Sequence, residues 1–107
     1  MEAACRGAKS AGGTTVGLLP GDDRAAANGF VDVAIPTGLG EGRNVLVARS
    51  GDALIAVGGG RGTLSEIALA LKAAKPVAGI GSWDIEGVLA ASGPEAAVEA
   101  VLADLTT

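Results

Sequence analysis

The chain has 107 residues, 49% hydrophobic and 19% charged, which is enough for one small folded domain and too few for two. Its 12 acidic and 8 basic residues give a net charge of −4, which argues against a nucleic-acid-binding protein. With no histidine and one cysteine, Cys5, a histidine triad, a structural zinc site and an internal disulfide are excluded. We predict a cytoplasmic protein with no metal site and no membrane segment.

Apolar runs separated by glycine and proline predict strands and helices in alternation. A helix is expected over residues 1–11, strands over 14–19 and 31–35, a helix over 43–50 and a strand over 52–57. A turn at 58–62 leads into a helix over 63–74, and strands follow over 76–80 and 87–91. The last helix begins within 92–95, which offers a capping box, and runs to about residue 105.

The spacing of apolar residues predicts which face of the last two helices is buried. In the helix over 63–74 the inward residues are Leu64, Ile67, Ala68 and Leu71. In the last helix they are Val98, Val101 and Leu102.

The alternation of strands and helices predicts an α/β fold with a doubly wound parallel sheet and helices on both faces. The strands are nearly all apolar, as expected for strands buried on both faces. Such a sheet normally starts with a strand, whereas this chain opens in a predicted helix. We therefore expect residues 1–107 to form a single domain that is incomplete at its N-terminus, and that gains stability from self-association.

The strongest candidate for a binding site is the run Gly-Gly-Gly-Arg-Gly-Thr-Leu-Ser-Glu at residues 58–66. It joins the most apolar strand to a helix, at the edge where ligands bind in open parallel sheets. Such a loop presents backbone N–H groups and the positive end of a helix to an anion, typically a phosphate. It matches neither the P-loop nor the G-x-G-x-x-G pattern. The alternative is a tight turn followed by a capping box of Thr63 and Glu66.

Three further side chains each allow two interpretations. Arg43 opens a helix at the same predicted edge, where a cation is unfavourable for the helix dipole, so it either holds a phosphate or carboxylate or is simply solvated. Glu66 is either a capping residue or the group that stabilises or attacks a sugar carbon. Trp83 follows a strand and either stacks on a base or covers the core.

Residues 58–66 resemble the P-G-G-x-G-T-x-x-E signature of the LOG ("Lonely guy") family, whose members were long described as lysine decarboxylases. Upstream, Arg43-Asn44, Arg49 and residues 52–56 resemble the family's R-K, R and D-A-hydrophobic run. Thr37-Gly38 ahead of this run, and a glycine motif without its proline, resemble a bacterial branch of molybdenum-cofactor-carrier-like proteins. The similarity extends from residue 1 to about residue 83.

This resemblance implies a Rossmann-like fold and a homodimer or higher homo-oligomer. The reaction that it implies is hydrolysis of a purine nucleoside 5′-monophosphate to the free base and ribose 5-phosphate, with no cofactor. The catalytic residues that it implies are Arg43 and Glu66. The phosphate- and nucleotide-binding residues that it implies are Gly58, Gly59, Gly60, Gly62 and Thr63. The accessory positions are Thr37, Gly38 and Asn44.

The sequence departs from the family pattern in ways that leave three hypotheses open. Gly58 stands in place of the motif's proline, and Asn44 in place of a lysine, which removes a charge near the phosphate. The family's first strands and a second glycine-rich loop have no counterpart. The chain is a nucleoside monophosphate hydrolase, or a non-catalytic carrier or binding module for a nucleotide or a phosphorylated pterin (molybdenum) cofactor, or a partial domain without activity of its own.

Overall fold

A computed structural model describes residues 1–106 and contains four α-helices and five β-strands. In chain order they are α1 (Glu2–Ser10), β1 (Val16–Leu19), β2 (Val33–Pro36), α2 (Arg43–Ser50), β3 (Leu54–Val57), α3 (Arg61–Lys72), β4 (Val77–Ile80), β5 (Val88–Ala91) and α4 (Pro94–Leu105). Two short 3₁₀ turns lie at Arg24–Ala26 and Gly40–Gly42. The chain divides into two compact units, Met1–Arg43 and the residues from Asn44 onward.

The first unit contains a two-stranded parallel sheet, in which Val16 of β1 lies opposite Val33 of β2. Thr15 and Asp32, just ahead of these strands, hold their starts together. The Asp32 carboxylate accepts a hydrogen bond from the backbone N–H of Thr15 at 2.9 Å, and the Asp32 N–H donates to the Thr15 hydroxyl at 2.8 Å. Since Thr15 is 6% exposed, its hydroxyl needs partners within the protein, and these bonds supply them.

An ion pair joins helix α1 to Asp32. The Lys9 ammonium lies 2.7 Å from the Asp32 carboxylate. This bond, and next the Thr15 N–H, hold the pKa of Asp32 below its ordinary value of 3.8. The carboxylate therefore stays ionised at neutral pH and joins α1 to the start of β2.

The second unit contains a three-stranded parallel sheet in the order β3-β4-β5. Leu54 of β3 lies opposite Val77 of β4, which in turn lies opposite Val88 of β5. Central strand β4 is buried through Val77, Ala78 and Gly79. All three strands run in the same direction, so their carboxyl ends meet at one edge.

Helices cover both faces of this second sheet. Val77 packs in a cluster with Ala48 of α2 and with Ile67 and Ala70 of α3, whereas the next residue, Ala78, packs with α4. Because successive residues of a strand point to opposite faces, α2 and α3 lie on one face and α4 on the other. The predicted α/β class with a parallel, doubly wound sheet is confirmed.

The predicted elements all occur, but the buried faces predicted for the last two helices were partly wrong. Helix α4 packs through Ala97 (0% exposed) and Val101 (5%), while Val98 and Leu102 are 45% and 54% exposed. The small side chain of Ala97 lets the helix approach Ala78 closely, so the helix turns that face inward. In α3, Ala70 is buried and the predicted inward residue Ala68 is exposed.

Only β4 has the burial on both faces that was expected of every strand. Val57 of β3 is 69% exposed, and Val33 and Ile35 of β2 are 45% and 41% exposed. β3 and β5 are the edge strands of their sheet, which has only one interior strand, so they are covered less completely. None of the helices in residues 1–106 is long and apolar enough to cross a membrane.

Lys75 closes the C-terminal end of α2. Its ammonium donates to the carbonyl oxygens of Ala48, Arg49 and Gly51 at 3.3, 2.5 and 2.6 Å. Carbonyl groups in the last turn of a helix lack intrahelical donors and attract a cation. Ala74, with φ 59°, ends α3 in a left-handed turn that delivers Lys75 to this position.

We expect Lys75→Met to lower the free energy of unfolding by about 1–2 kcal/mol, because three carbonyl groups lose a charged donor. The measurement is urea denaturation, with Lys72→Met as the control, since Lys72 is exposed at the end of α3. Equal effects of the two substitutions would contradict a capping role for Lys75.

Candidate functional site

The glycine loop, residues 58–62, turns the chain from β3 into α3 within three residues. Gly58 and Gly59 have φ angles of 56° and 99°, which only glycine adopts readily. The Gly58 N–H donates to the carbonyl of Ile80 at the end of β4, at 2.9 Å. The loop therefore lies at the carboxyl edge of β3 and β4, as the sequence predicted.

Gly59 is required by its neighbour as well as by its backbone angle. A Cβ atom placed on Gly59 would overlap the hydroxyl and Cβ of Thr63. The Thr63 side chain therefore packs directly on the Gly59 backbone. This contact fixes the start of α3 against the end of the turn.

Helix α3 begins at Arg61, two residues earlier than predicted. Its N-cap is Gly60, with no side-chain capping bond. The capping box with Thr63 as the N-cap was therefore wrong, because Thr63 and Glu66 both lie inside the helix. The capping box predicted for α4 was also wrong: Gly93 is the N-cap without a side-chain bond, although Pro94 does occupy the first turn as expected.

Without a side chain on its N-cap, the N-terminal end of α3 keeps backbone donors available. Among the described residues, no backbone carbonyl accepts a hydrogen bond from the N–H groups of residues 59–63. N–H groups at a helix start lack intrahelical acceptors, and the helix dipole adds positive potential there. The loop thus forms a set of donors suited to an anion.

Two residues after β4 hold the carbonyl groups of the loop. The Ser82 hydroxyl donates to the Gly58 carbonyl at 2.7 Å, and the Trp83 indole N–H donates to the Gly60 carbonyl at 3.0 Å. Trp83 is 38% exposed and belongs to neither buried cluster, so it does not cover the core. Ser82 was not predicted from the sequence, where its only signal is its place in the segment that follows a strand at this edge.

Asn44 is connected to the first turn of α3. Its side-chain amide donates to the Ser65 hydroxyl at 3.1 Å, and that hydroxyl donates to the Gly62 carbonyl at 2.6 Å. The predicted accessory residue Asn44 therefore lies beside the glycine loop. Ser65, which the sequence did not single out, is the link between them.

The fold does not require glycine at positions 60 and 62. A Cβ on Gly60 would meet nothing within 4 Å, and one on Gly62 would make only an ordinary contact with Asn44 at 3.7 Å. Neither residue has a positive φ. Since glycine inside a helix is less stable than alanine, Gly62 lowers the stability of α3 without a steric need for it in the fold.

Glu66 lies inside α3, one helical turn after Thr63, and is half-buried. Glu66 is therefore close to the glycine loop in sequence and lies within a helix.

The remaining predicted residues gather at the carboxyl edge of the first unit. The Arg43 guanidinium donates to the Leu18 carbonyl at 2.8 Å, and the Thr37 hydroxyl donates to the Leu19 carbonyl at 2.7 Å. Gly38, with φ 65°, donates its N–H to the carbonyl of Gly21 at 2.9 Å. One Arg43 donor and the Thr37 hydroxyl proton are thus used to hold the ends of β1 and β2.

A shallow surface hollow lies at the N-terminal end of α4 and shares no residue with the glycine loop. Glu95 and Glu99 line it. Two carboxylates repel a phosphate, so this hollow is a poor match for the anion that the glycine loop suits.

The model of the SLOG cluster4 family matches residues 1–104 of the chain. An uncharacterized protein of Archaeoglobus fulgidus is 50% identical over 99 residues, and the match covers 92% of this chain. The chain spans about 65% of the length of that relative.

Two similar solved structures are described by what they bind or carry. The molybdenum cofactor binding protein of Rippkaea orientalis is 41% identical, with a TM-score of 0.84 over 97% of this chain and 69% of that one. The molybdenum cofactor carrier protein of Chlamydomonas reinhardtii is also 41% identical, with a TM-score of 0.81 over 100% of this chain and 71% of that one.

Two alanine substitutions in the loop should change stability in opposite directions. We expect Gly59→Ala to lower the free energy of unfolding by about 2–4 kcal/mol, through overlap with Thr63 and an unfavourable φ. We expect Gly62→Ala to raise it by up to about 1 kcal/mol, because alanine favours the helix. Urea denaturation of both variants is the measurement, and a destabilised Gly62→Ala would show that the fold itself needs this glycine.

Proposed function

Since this chain belongs to the SLOG cluster4 family, we propose that it binds the molybdenum cofactor, a phosphorylated pterin, as a non-catalytic carrier. The proposal is supported by two similar structures, which are described as molybdenum cofactor binding and carrier proteins. The observation within this chain that carries it is Gly62. This helical glycine, where a methyl group would make only an ordinary contact with Asn44, lies among N–H groups that donate to no backbone carbonyl of the described residues.

The phosphate of the ligand would be held by the backbone N–H groups of residues 59–63. Hydrogen bonds from neutral donors to a charged acceptor contribute about 1.5–3 kcal/mol each, and the start of a helix adds a few tenths to about 1 kcal/mol. Exposed Arg61 at the helix start adds a full positive charge beside them. A chain with a net charge of −4 thereby gains a local site that attracts an anion.

A carrier binds and releases its ligand without breaking a covalent bond, and the backbone donors of the loop are suited to such binding. Donors from a rigid backbone can hold a phosphate reversibly, and release requires no chemical step. The same donors would not distinguish one phosphate ester from another, so the ring system of the ligand must be recognised by side chains elsewhere.

Binding can be followed through Trp83, the single tryptophan of a chain without tyrosine, because its indole N–H is bonded to the loop. We expect molybdenum cofactor, added under anaerobic conditions, to quench this emission in a saturable way. We expect Gly62→Ala to weaken the affinity at least tenfold, since its methyl group fills the ligand's space.

Gly7→Ala is the matched control for this substitution. Gly7 is also a helical glycine, it lies in the middle of α1, and an added methyl group there would meet nothing within 4 Å. Both variants should be at least as stable as the original chain, so that only a local effect separates them. Equal affinities of Gly62→Ala and Gly7→Ala would contradict binding at the loop, and an absence of saturable quenching by the cofactor would contradict the carrier proposal.

Hydrolysis of a nucleoside 5′-monophosphate is the second candidate. It is supported by the matches of Arg43 and Glu66 to the catalytic residues of LOG proteins, and by the position of Glu66 one turn after Thr63. In this alternative, Glu66 would stabilise the sugar cation as the base leaves and Arg43 would orient the substrate.

Incubation with AMP and GMP, followed by chromatography of the free base, separates the two candidates. Under the carrier proposal we expect no base release by the original chain. Release that is lost in Glu66→Gln and retained in Glu86→Gln would favour the hydrolase instead. Glu86 is an exposed carboxylate in the loop after β4 and serves as the control for charge alone.

Three predictions from the sequence belong to the same proposal. The chain is expected to act in the cytoplasm, to self-associate, and to provide one nucleotide-binding domain over residues 1–107. Sedimentation analysis of the purified chain measures the second of these directly.

A further inference from the structure

The residues after β4 control the orientation of the peptide groups in the glycine loop. Ser82 binds the carbonyl of Gly58, and Trp83 binds the carbonyl of Gly60. Both contacts come from one short segment. They reach the loop at two alternate peptide groups.

A trans peptide is planar, and its C=O and N–H groups point in opposite directions. When Ser82 draws the Gly58 carbonyl toward itself, the N–H of Gly59 must point away from Ser82. When Trp83 and the Leu64 N–H bind the Gly60 carbonyl, the N–H of Arg61 must point away from both. The two side chains thus fix the directions of two of the donors assigned to the phosphate.

The glycine residues of the loop would leave the directions of these N–H groups variable if no other residue fixed them. Gly58 and Gly59 have no side chains to restrict rotation of the peptide group between them, and glycine populates both signs of φ. A loop whose N–H groups pointed in several directions would lose entropy on binding an anion. Hydrogen bonds from the neighbouring strand end remove that freedom before the ligand arrives.

We infer that Ser82 and Trp83 are positioning residues for phosphate binding, acting through the carbonyl groups of Gly58 and Gly60 to direct the N–H groups of Gly59 and Arg61 at the ligand. This inference rests on the proposed function, since it assigns a role to residues that touch the binding loop. Neither side chain needs to touch the phosphate itself.

The test is an NMR titration of the full chain with inorganic phosphate and with AMP, following the backbone amide signals of Gly59 and Arg61. In the original chain both signals should move with one saturation curve. In Ser82→Ala the response of Gly59 should shrink while that of Arg61 remains. In Trp83→Phe, which keeps an aromatic ring and removes the N–H, the pattern should be the reverse.

Affinity should fall about three- to tenfold in each variant, as expected for the loss of one hydrogen bond. Ser82→Thr keeps the hydroxyl and should restore the affinity. A variant that destabilised the whole fold would reduce both amide responses together. Urea denaturation measures that loss of stability independently.

The outcomes separate this inference from the function on which it rests. If the original chain binds neither phosphate nor AMP nor the molybdenum cofactor, the proposed function fails and the inference fails with it. If the original chain binds and both variants bind equally well with unchanged amide responses, only the positioning role is overturned. Selective loss at one amide in each variant supports the positioning role, and the cofactor titration described above tests the carrier function separately.

Discussion

The contact of the Thr63 side chain with the backbone of Gly59 is the constraint on which the rest of the second unit depends. It leaves no room for a Cβ at position 59, where the backbone is left-handed. Because the turn is that tight, α3 starts only a few residues after the end of β3. The first turn of the helix is thereby brought to the carboxyl edge of the sheet, together with its backbone donors.

Other parts of the unit are organised around this helix start. Ser82 and Trp83 reach it from the end of β4, and Asn44 reaches it from α2 through Ser65. Each of these side chains binds a carbonyl group or a hydroxyl, so the backbone donors of the loop are left to other partners. These hydrogen bonds stabilise the loop through its carbonyl groups, which accept them. A loop held in this way, with its backbone donors unused by carbonyl groups, suits the anion-binding role proposed for it.

The order and type of the elements could be predicted because glycine and proline separate clear apolar runs. The face of α4 could not, since small or apolar residues occupy most of its positions and periodicity does not choose between Ala97 and Val98. The start of α3 was misplaced because threonine is a strong N-cap, whereas the close approach of Thr63 to Gly59 depends on the turn in three dimensions. The glycine loop was found from sequence, but the residues that orient it were not, since a serine and a tryptophan after a strand carry no distinctive spacing. What the resemblance adds, the roles of Arg43 and Glu66, stays a prediction.

Gly62 has a consequence for the history of the family. Alanine at this helical position would favour the helix and would meet no steric limit within the fold. Under the proposed function, a methyl group at this position is disfavoured by the ligand and not by the fold. If the loop binds a ligand as proposed, glycine at this position should be more frequent among homologues that bind that ligand than among homologues that do not.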